Sequence, residues 1–227
     1  MSGQTRLVVF DMDGTLIDSQ HEILDAMTTA FTAGGHPAPS REAVLGIVGL
    51  SLPQAMTALA PHLSEAETLA LADGYRQCFL AARNDAGSHA PLYPGALDVI
   101  EALAADPWTL LGIATGKARR GVDRFFTMHP IEAHFATIQT ADNHPSKPHP
   151  SMVEAALSET GCAPGRAVMV GDTEFDIAMG RSAGVATIGV SWGYHPRARL
   201  VAAGADLVID DYAALPAALQ MLWDKSA

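Results

Sequence analysis

Asp11 and Asp13 stand one residue apart at the end of the apolar run Leu7-Val8-Val9-Phe10, within Phe10-Asp11-Met12-Asp13-Gly14-Thr15-Leu16. Two carboxylates held this close repel each other unless a cation or a shared proton lies between them. The pair therefore suits a hard oxygen site for Mg²⁺ beside a carboxylate nucleophile. The same letters also spell a strand followed by an Asp-Gly turn, and taken alone they leave both readings open. A second acidic pair, Asp172 and Asp176, follows the apolar Val168-Met169-Val170-Gly171 and is spaced by one helical turn, which puts both carboxylates on one side of a helix start. Close like-charged pairs cost on the order of 1–4 kcal/mol each at surface-like dielectric, so a divalent ion and a lysine must lie near. Lysine is scarce: only Lys117, Lys147 and Lys225 occur. Lys147, in Ser146-Lys147-Pro148, would read as a solvated loop residue if the acidic clusters were absent. Thr115, in Ala114-Thr115-Gly116-Lys117, reads as the cap of the next helix, a role compatible with a phosphate at the same N-terminus. Glu174 reads as a first-turn helix charge rather than a ligand.

These groups need a scaffold that brings distant strand ends together. From Ala96 onward helical and strand patterns alternate: helix 96–104, strand 110–114, helix 118–126, strand 135–139, helix 151–160, strand 168–170, helix 174–183, strand 185–190, helix 197–203, strand 206–209 and a final helix. Such alternation, with strands that are apolar runs lacking strict two-residue periodicity, predicts an α/β fold with a doubly wound, Rossmann-like parallel sheet covered by helices on both faces. In that fold the ends of the strands leading to Asp11, Thr115 and Asp172 share one edge. Residues 18–84 read as helix throughout. One capping box, Ser19-Gln20-His21-Glu22, precedes the stripe Ile23, Met27, Phe31; a second, Ser64-Glu65-Ala66-Glu67, precedes Leu71, Tyr75, Phe79. The Gly- and Pro-marked segment 85–95 reads as the return hinge. The expected organisation is a core of residues 1–16 and 91–227 interrupted by a helical cap of residues 17–90.

The 227 residues are 48% hydrophobic and carry 25 acidic against 14 basic side chains, for a formal charge of −11. That balance argues against a nucleic acid or an anionic membrane as partner. No apolar run approaches the roughly 20 residues a membrane span requires. Two cysteines, Cys78 and Cys162, and an N-terminus that leads into the first strand without an apolar signal region lead us to expect a cytoplasmic protein. The nine histidines form no zinc-site spacing and read as loop and surface residues, although His149 and His195 fall where they could reach the active edge.

Taken in order, Asp11-Met12-Asp13-Gly14-Thr15, Thr115, Lys147 and Gly171-Asp172-Thr173-Glu174-Phe175-Asp176, with a cap-sized helical insertion after the first strand, resemble the haloacid dehalogenase superfamily. Within it they resemble the phosphoglycolate phosphatase-like enzymes, over essentially the whole chain. The resemblance implies a Mg²⁺-dependent phosphatase acting on a small phosphorylated metabolite. Asp11 would be the nucleophile forming an aspartyl-phosphate, and Asp13 the acid that protonates the leaving alcohol and then activates water. Asp11, the Asp13 carbonyl and Asp172 would hold Mg²⁺, while Thr115 and Lys147 would hold the phosphoryl oxygens. Asp176 would support the ion's water shell or orient Lys147, with Gly116 and Lys117 as supporting residues. The protein would be a monomer or homodimer.

A P-loop reading of Gly112 to Ala118 fails, because one residue is missing between the glycines and Ala118 stands where Ser or Thr should bind Mg²⁺. A β-phosphoglucomutase-like phosphomutase shares the four motifs, but it must grip a bisphosphate, and the cap loop Gly46 to Pro53 has no cation. That lack also weighs against phosphoglycolate itself, since Arg41, Arg76 and Arg83 are the cap's only cations and read as helix surface. A non-enzymatic phosphate-binding protein is the alternative of a different class. It would be expected if Asp11 or Asp172 were replaced, and neither is.

Overall fold

The structure, a computed structural model, describes residues 5–81 and 90–225. Six parallel strands form one sheet: β1 (Arg6–Phe10), β2 (Thr109–Thr115), β3 (Phe135–Thr140), β4 (Ala167–Gly171), β5 (Ala186–Val190) and β6 (Leu207–Ile209). Their order is β3-β2-β1-β4-β5-β6, so the chain winds outward from β1 in both directions. This is the expected doubly wound α/β architecture, and β1 and β4 lie side by side at the switch point, where such sheets open a crevice.

Alternate residues of the apolar strands feed two separate cores. Val8 and Phe10 of β1 join α5 (Ala96–Ala104), α6 (Arg119–Met128) and α10 (Leu215–Lys225) on one face. Leu7 and Val9 join Met152, Val153 and Ala156 of α7 (Ser151–Thr160) and Met179 of α8 (Glu174–Ser182) on the other. A one-residue slip of β1 would exchange these sets, so burial on both faces fixes the register that delivers Asp11 to the edge. The short α9 (Arg197–Ala202) covers β5 and β6.

Between β1 and α5 lie α1 (Gln20–Ala33), α2 (Arg41–Leu45), α3 (Leu52–Leu59) and α4 (Glu65–Ala81). They enclose a core of their own: Ile23, Met27 and Phe31 of α1 are buried against Val44, Val48, Met56, Leu71 and Ala72. The helical stretch expected as continuous is divided at glycine, proline and serine positions. The two connections run antiparallel at the junction, where Asp18 donates its N–H to the Pro91 carbonyl and Tyr93 to that of Leu16, both at 2.9 Å. Residues 85–89 of the expected hinge, and Arg83, lie outside the described residues. Arg41 bonds Gln20 and Arg76 pairs with Asp73, both at the surface as their default reading had it.

The second capping box forms as expected, with Ser64 donating its N–H to Glu67 at 2.8 Å. The first does not. Ser19 flanks α1 but its hydroxyl makes no cap bond; it is turned to Asp13, donating to Oδ1 at 2.5 Å, a bond strengthened by the acceptor's charge.

Candidate active site

Asp11 leaves the end of β1 fully buried, with its N–H bonded to the Val170 carbonyl of β4 at 2.9 Å. Its Oδ1 accepts from Lys147 Nζ at 2.7 Å. Its Oδ2 is buried and has no hydrogen-bond partner. An orphaned carboxylate oxygen in the interior normally costs free energy, unless a ligand or an ion completes it.

Asp172, from the end of β4, comes to the same place. Thr15 Oγ1 donates to its Oδ1 and the Tyr194 N–H to its Oδ2, each at 2.8 Å. Asp176 takes the Thr173 N–H and hydroxyl on Oδ2, at 3.0 and 2.7 Å, and Lys147 Nζ on Oδ1 at 2.6 Å. Asp11, Asp172 and Asp176 each offer an oxygen within 4.8 Å of the others. Asp176 thus makes the bond to Lys147 that one of its two expected roles requires.

Three buried acids beside one ammonium leave the cluster short of positive charge. Burial, opposed by Lys147 and reinforced by Asp176, pushes the Asp11 carboxyl up to about 7. Burial and then Asp176 and Asp11 raise the Asp172 carboxyl well above its ordinary value. Burial works against the charged form of Lys147, but Asp11 and Asp176 outweigh it, so the ammonium stays charged. An all-oxygen donor set with an unpartnered buried oxygen fits a small hard cation. Asp11 Oδ2 and Asp172, with the Asp13 carbonyl in the same loop, are the residues that would hold it.

Asp13 stands at the rim of this cluster, its side chain 14% exposed. Its Oδ1 receives Ser19 Oγ and, at 3.0 Å, Lys117 Nζ. Its neighbours are thus a cation and a hydroxyl as well as the other carboxylates. Tyr194 OH lies 3.0 Å from Ser19 Oγ. Sequence reasoning missed Ser19 and Tyr194 in this role.

Thr115 is buried at the end of β2, and its hydroxyl accepts the Lys117 N–H at 3.1 Å. It is not the cap of α6, whose N-terminal flanking residue is Ala118; the strand runs through Thr115 and the chain turns before the helix begins. Gly116 lies under the loop 46–51 of the helical unit: a Cβ there would stand 2.7 and 2.9 Å from the carbonyl oxygens of Gly49 and Leu50. The same loop reaches the core twice more. The Ser51 N–H donates to Ser146 Oγ at 2.7 Å, and His195 Nε2 lies 3.3 Å from the Gly46 carbonyl. His195 is therefore a buried residue of the seam between the helical unit and the sheet, not a surface histidine. Its Nδ1 accepts the Glu174 N–H at 3.1 Å, which leaves Nε2 as the donor to Gly46. His149 bonds the Ser151 N–H and stays out of the cluster. Glu174 pairs with Arg199, as befits a helix charge.

Residues 8–190 match the model of the haloacid dehalogenase-like hydrolases. The chain belongs to that family. It is 32% identical to a probable phosphatase, IndB, of Dickeya dadantii, over 97% of this chain and 96% of that protein. It is 30% identical to a phosphoglycolate phosphatase of Vibrio parahaemolyticus, over 92% and 94%. A haloacid dehalogenase-like hydrolase of Streptococcus pneumoniae, 27% identical, superposes with a TM-score of 0.82 over 96% of this chain and 99% of that one. The hydrolase fold thus extends through the helical insertion as well as the sheet.

Proposed function

We propose that this hydrolase is a Mg²⁺-dependent phosphatase of small phosphomonoesters that carries the phosphoryl group on Asp11, with residues 17–90 acting as a cap over a core of residues 1–16 and 91–227. The observation that carries the reading is the unpartnered, buried Asp11 Oδ2 amid Asp172 and the Lys147 ammonium. A carboxylate placed in this way can turn one oxygen to a cation and the other to phosphorus, with that ion and the Lys147 ammonium beside it to offset the charge of the anion it attacks.

In this reading Asp11 attacks the phosphorus in line and the ester oxygen leaves from the opposite side. Asp13, at the rim, gives that oxygen a proton and then takes one from the water that hydrolyses the acyl phosphate. Ser19 and Lys117 hold Oδ1 of Asp13, which leaves its other oxygen for this transfer. Lys147, kept in place by Asp176, and the Thr115 hydroxyl bind the phosphoryl oxygens. Bound Mg²⁺ would supply neutralisation of phosphoryl charge and hold Asp11 in position. The cap loop 46–51, seated on Gly116, Ser146 and His195, keeps bulk water out. That loop is apolar, which favours a small leaving group without a second phosphate.

The test is turnover of phosphomonoesters, including glycolate, sugar and nucleotide monophosphates, with pyrophosphate beside them. Mg²⁺ should be required, and Asp11→Asn, which keeps shape but removes the nucleophile, should lower kcat by roughly 10⁴ or more. Near-normal turnover by Asp11→Asn, or full activity in excess chelator, would overturn the mechanism.

A further inference from the structure

A run of polar side chains lies between β3 and α7, away from the carboxylate cluster, and its bonds can be given one consistent direction. Glu159 Oε2, on α7, sits 2.5 Å from Thr137 Oγ1 and 2.8 Å from Gln139 Nε2. Turning the Gln139 amide over would face its carbonyl against that carboxylate, so Nε2 must point to Glu159 and Oε1 must be an acceptor. Gln139 Nε2 also reaches Thr137 Oγ1 at 2.7 Å. His144 Nε2 lies 2.9 Å from Gln139 Oε1 and therefore carries the proton. His144 Nδ1 is then an acceptor, and Ser151 Oγ, 2.8 Å away, donates to it. Each donor in the chain Ser151, His144, Gln139 points on toward the Glu159 carboxylate.

Thr137 and Gln139 are buried, and polar groups buried on a strand cost free energy unless each finds its partners. Here every link is made. What the chain encloses is the connection from Thr140 to Ser151, which delivers Lys147. His144 joins the strand before that connection to the first residue of the helix after it. Short-range bonds inside it run from Asn143 N–H to Thr140 and from His149 N–H to Ser146; outward, the Ala141 N–H reaches the Lys117 carbonyl at 3.2 Å, Asp142 takes the Arg119 N–H at 2.6 Å and Ser146 takes the Ser51 N–H at 2.7 Å, but among these bonds only those of His144 join strand to helix across the connection.

We propose that His144 is a positioning residue for Lys147: by clamping the two ends of the loop it holds the ammonium between Asp11 and Asp176, in the geometry the phosphoryl group meets in the transition state. The inference rests on the phosphatase reading for its kinetic consequence, but the clamp itself does not. Removing the imidazole frees loop backbone that folding had fixed, and a small misplacement of a charged group costs transition-state binding more than ground-state binding.

The experiment compares wild type with His144→Ala, His144→Gln and Ser151→Ala, all checked for folded content by circular dichroism. The glutamine can place a donor amide where Nε2 stood and so keep the bond to Gln139. Backbone hydrogen exchange across residues 141–150 should speed up at least fivefold in His144→Ala, less in Ser151→Ala, and return toward wild type in His144→Gln. With p-nitrophenyl phosphate, kcat/KM of His144→Ala should fall about tenfold, and the Ki of orthovanadate should rise in parallel while the Ki of inorganic phosphate changes less. Should His144→Ala fail to fold, Ser151→Ala and His144→Gln carry both measurements. Unchanged exchange of the loop in folded variants would overturn the inference, as would lost activity with no matching loss of vanadate affinity. Wild-type inactivity on every phosphomonoester would instead overturn the phosphatase reading, and the exchange result alone would then decide the clamp.

Discussion

Mg²⁺ should bind in competition with a proton on Asp11. In the metal-free protein, burial lifts this carboxyl to about 7 against the pull of Lys147. A carboxyl raised in this way holds a proton below about pH 7, and an ion using Asp11 Oδ2 must displace it. Apparent affinity for Mg²⁺ should therefore level off at high pH and, from this proton alone, weaken toward tenfold per pH unit below about pH 6, more steeply where Asp172 also holds a proton. Below about pH 7 the carboxyl is mostly protonated, so each ion bound should expel most of a proton from it there and progressively less as pH rises. Calorimetric titration of Mg²⁺ at each pH, in two phosphate-free buffers of different ionisation enthalpy, reads the protons released. Asp172, which burial also raises, adds to the release, so Asp11→Asn should diminish it without abolishing it. The unfolding equilibrium gives the same sign. Between about pH 4 and pH 7 the native metal-free protein binds a proton that the unfolded chain does not, so this group's contribution falls as pH rises, by at most about 1.4 kcal/mol per pH unit. Saturating Mg²⁺ should flatten that decline. An affinity that does not change between pH 6 and pH 8, or proton release that is unaltered in Asp11→Asn, would refute the reasoning.

Three further outcomes follow from the same geometry. Asp13→Asn should lower turnover of alkyl phosphates by about 10²–10⁴ and slow phosphorylation by aryl phosphates much less, measured by rapid quench; equal losses would remove Asp13 as the acid. Gly116→Ala should prop the cap loop away, since the added methyl meets the Gly49 and Leu50 carbonyls. With overpacking worth about 1–3 kcal/mol, kcat/KM should fall roughly five- to a hundredfold while Mg²⁺ affinity, followed by calorimetry, stays within about twofold. Leu50→Arg should shift preference toward substrates with an extra carboxylate or phosphate by about 1 kcal/mol, read from the ratio of kcat/KM values in a substrate panel.

Most of the sheet was legible because its strands are short apolar runs set between helical stretches, and burial on both faces leaves such a run no other use. Boundaries in the helical insertion were less legible. Its apolar stripes survive interruption, so periodicity alone did not mark where α2 and α3 begin. The catalytic candidates were readable where a residue's type is costly elsewhere, as with carboxylates at strand ends or one of three lysines. Of the residues that hold them, Asp176 and Lys117 were readable and others were not. Ser19 and Thr115 have ordinary local uses as helix caps, and the structure gives each hydroxyl a different partner, Asp13 and the Lys117 N–H. His144 and His195 carried no spacing signal because each bonds groups contributed by other segments, and only the folded chain brings those segments together.

The Asp13-Gly14 dipeptide shows how a local reading and a long-range one can share a residue. Gly14 has φ +88°, so the bend itself asks for glycine, and the turn reading is correct as far as it goes. Yet a Cβ at Gly14 would also collide with the Asp172 carboxylate, and the neighbouring Thr15 hydroxyl bonds that same carboxylate across 157 residues of sequence. The turn therefore does more than end β1. It clears the space into which the β4 acid enters, so that Asp11 Oδ2 and Asp172 can face one ion. Strand order supplies the other half of this: β1 and β4 are neighbours at the switch point, although the whole helical insertion and two strands separate them along the chain. An acid-glycine turn becomes a site when a second acidic strand end is its neighbour, and in this chain the parallel sheet puts one there.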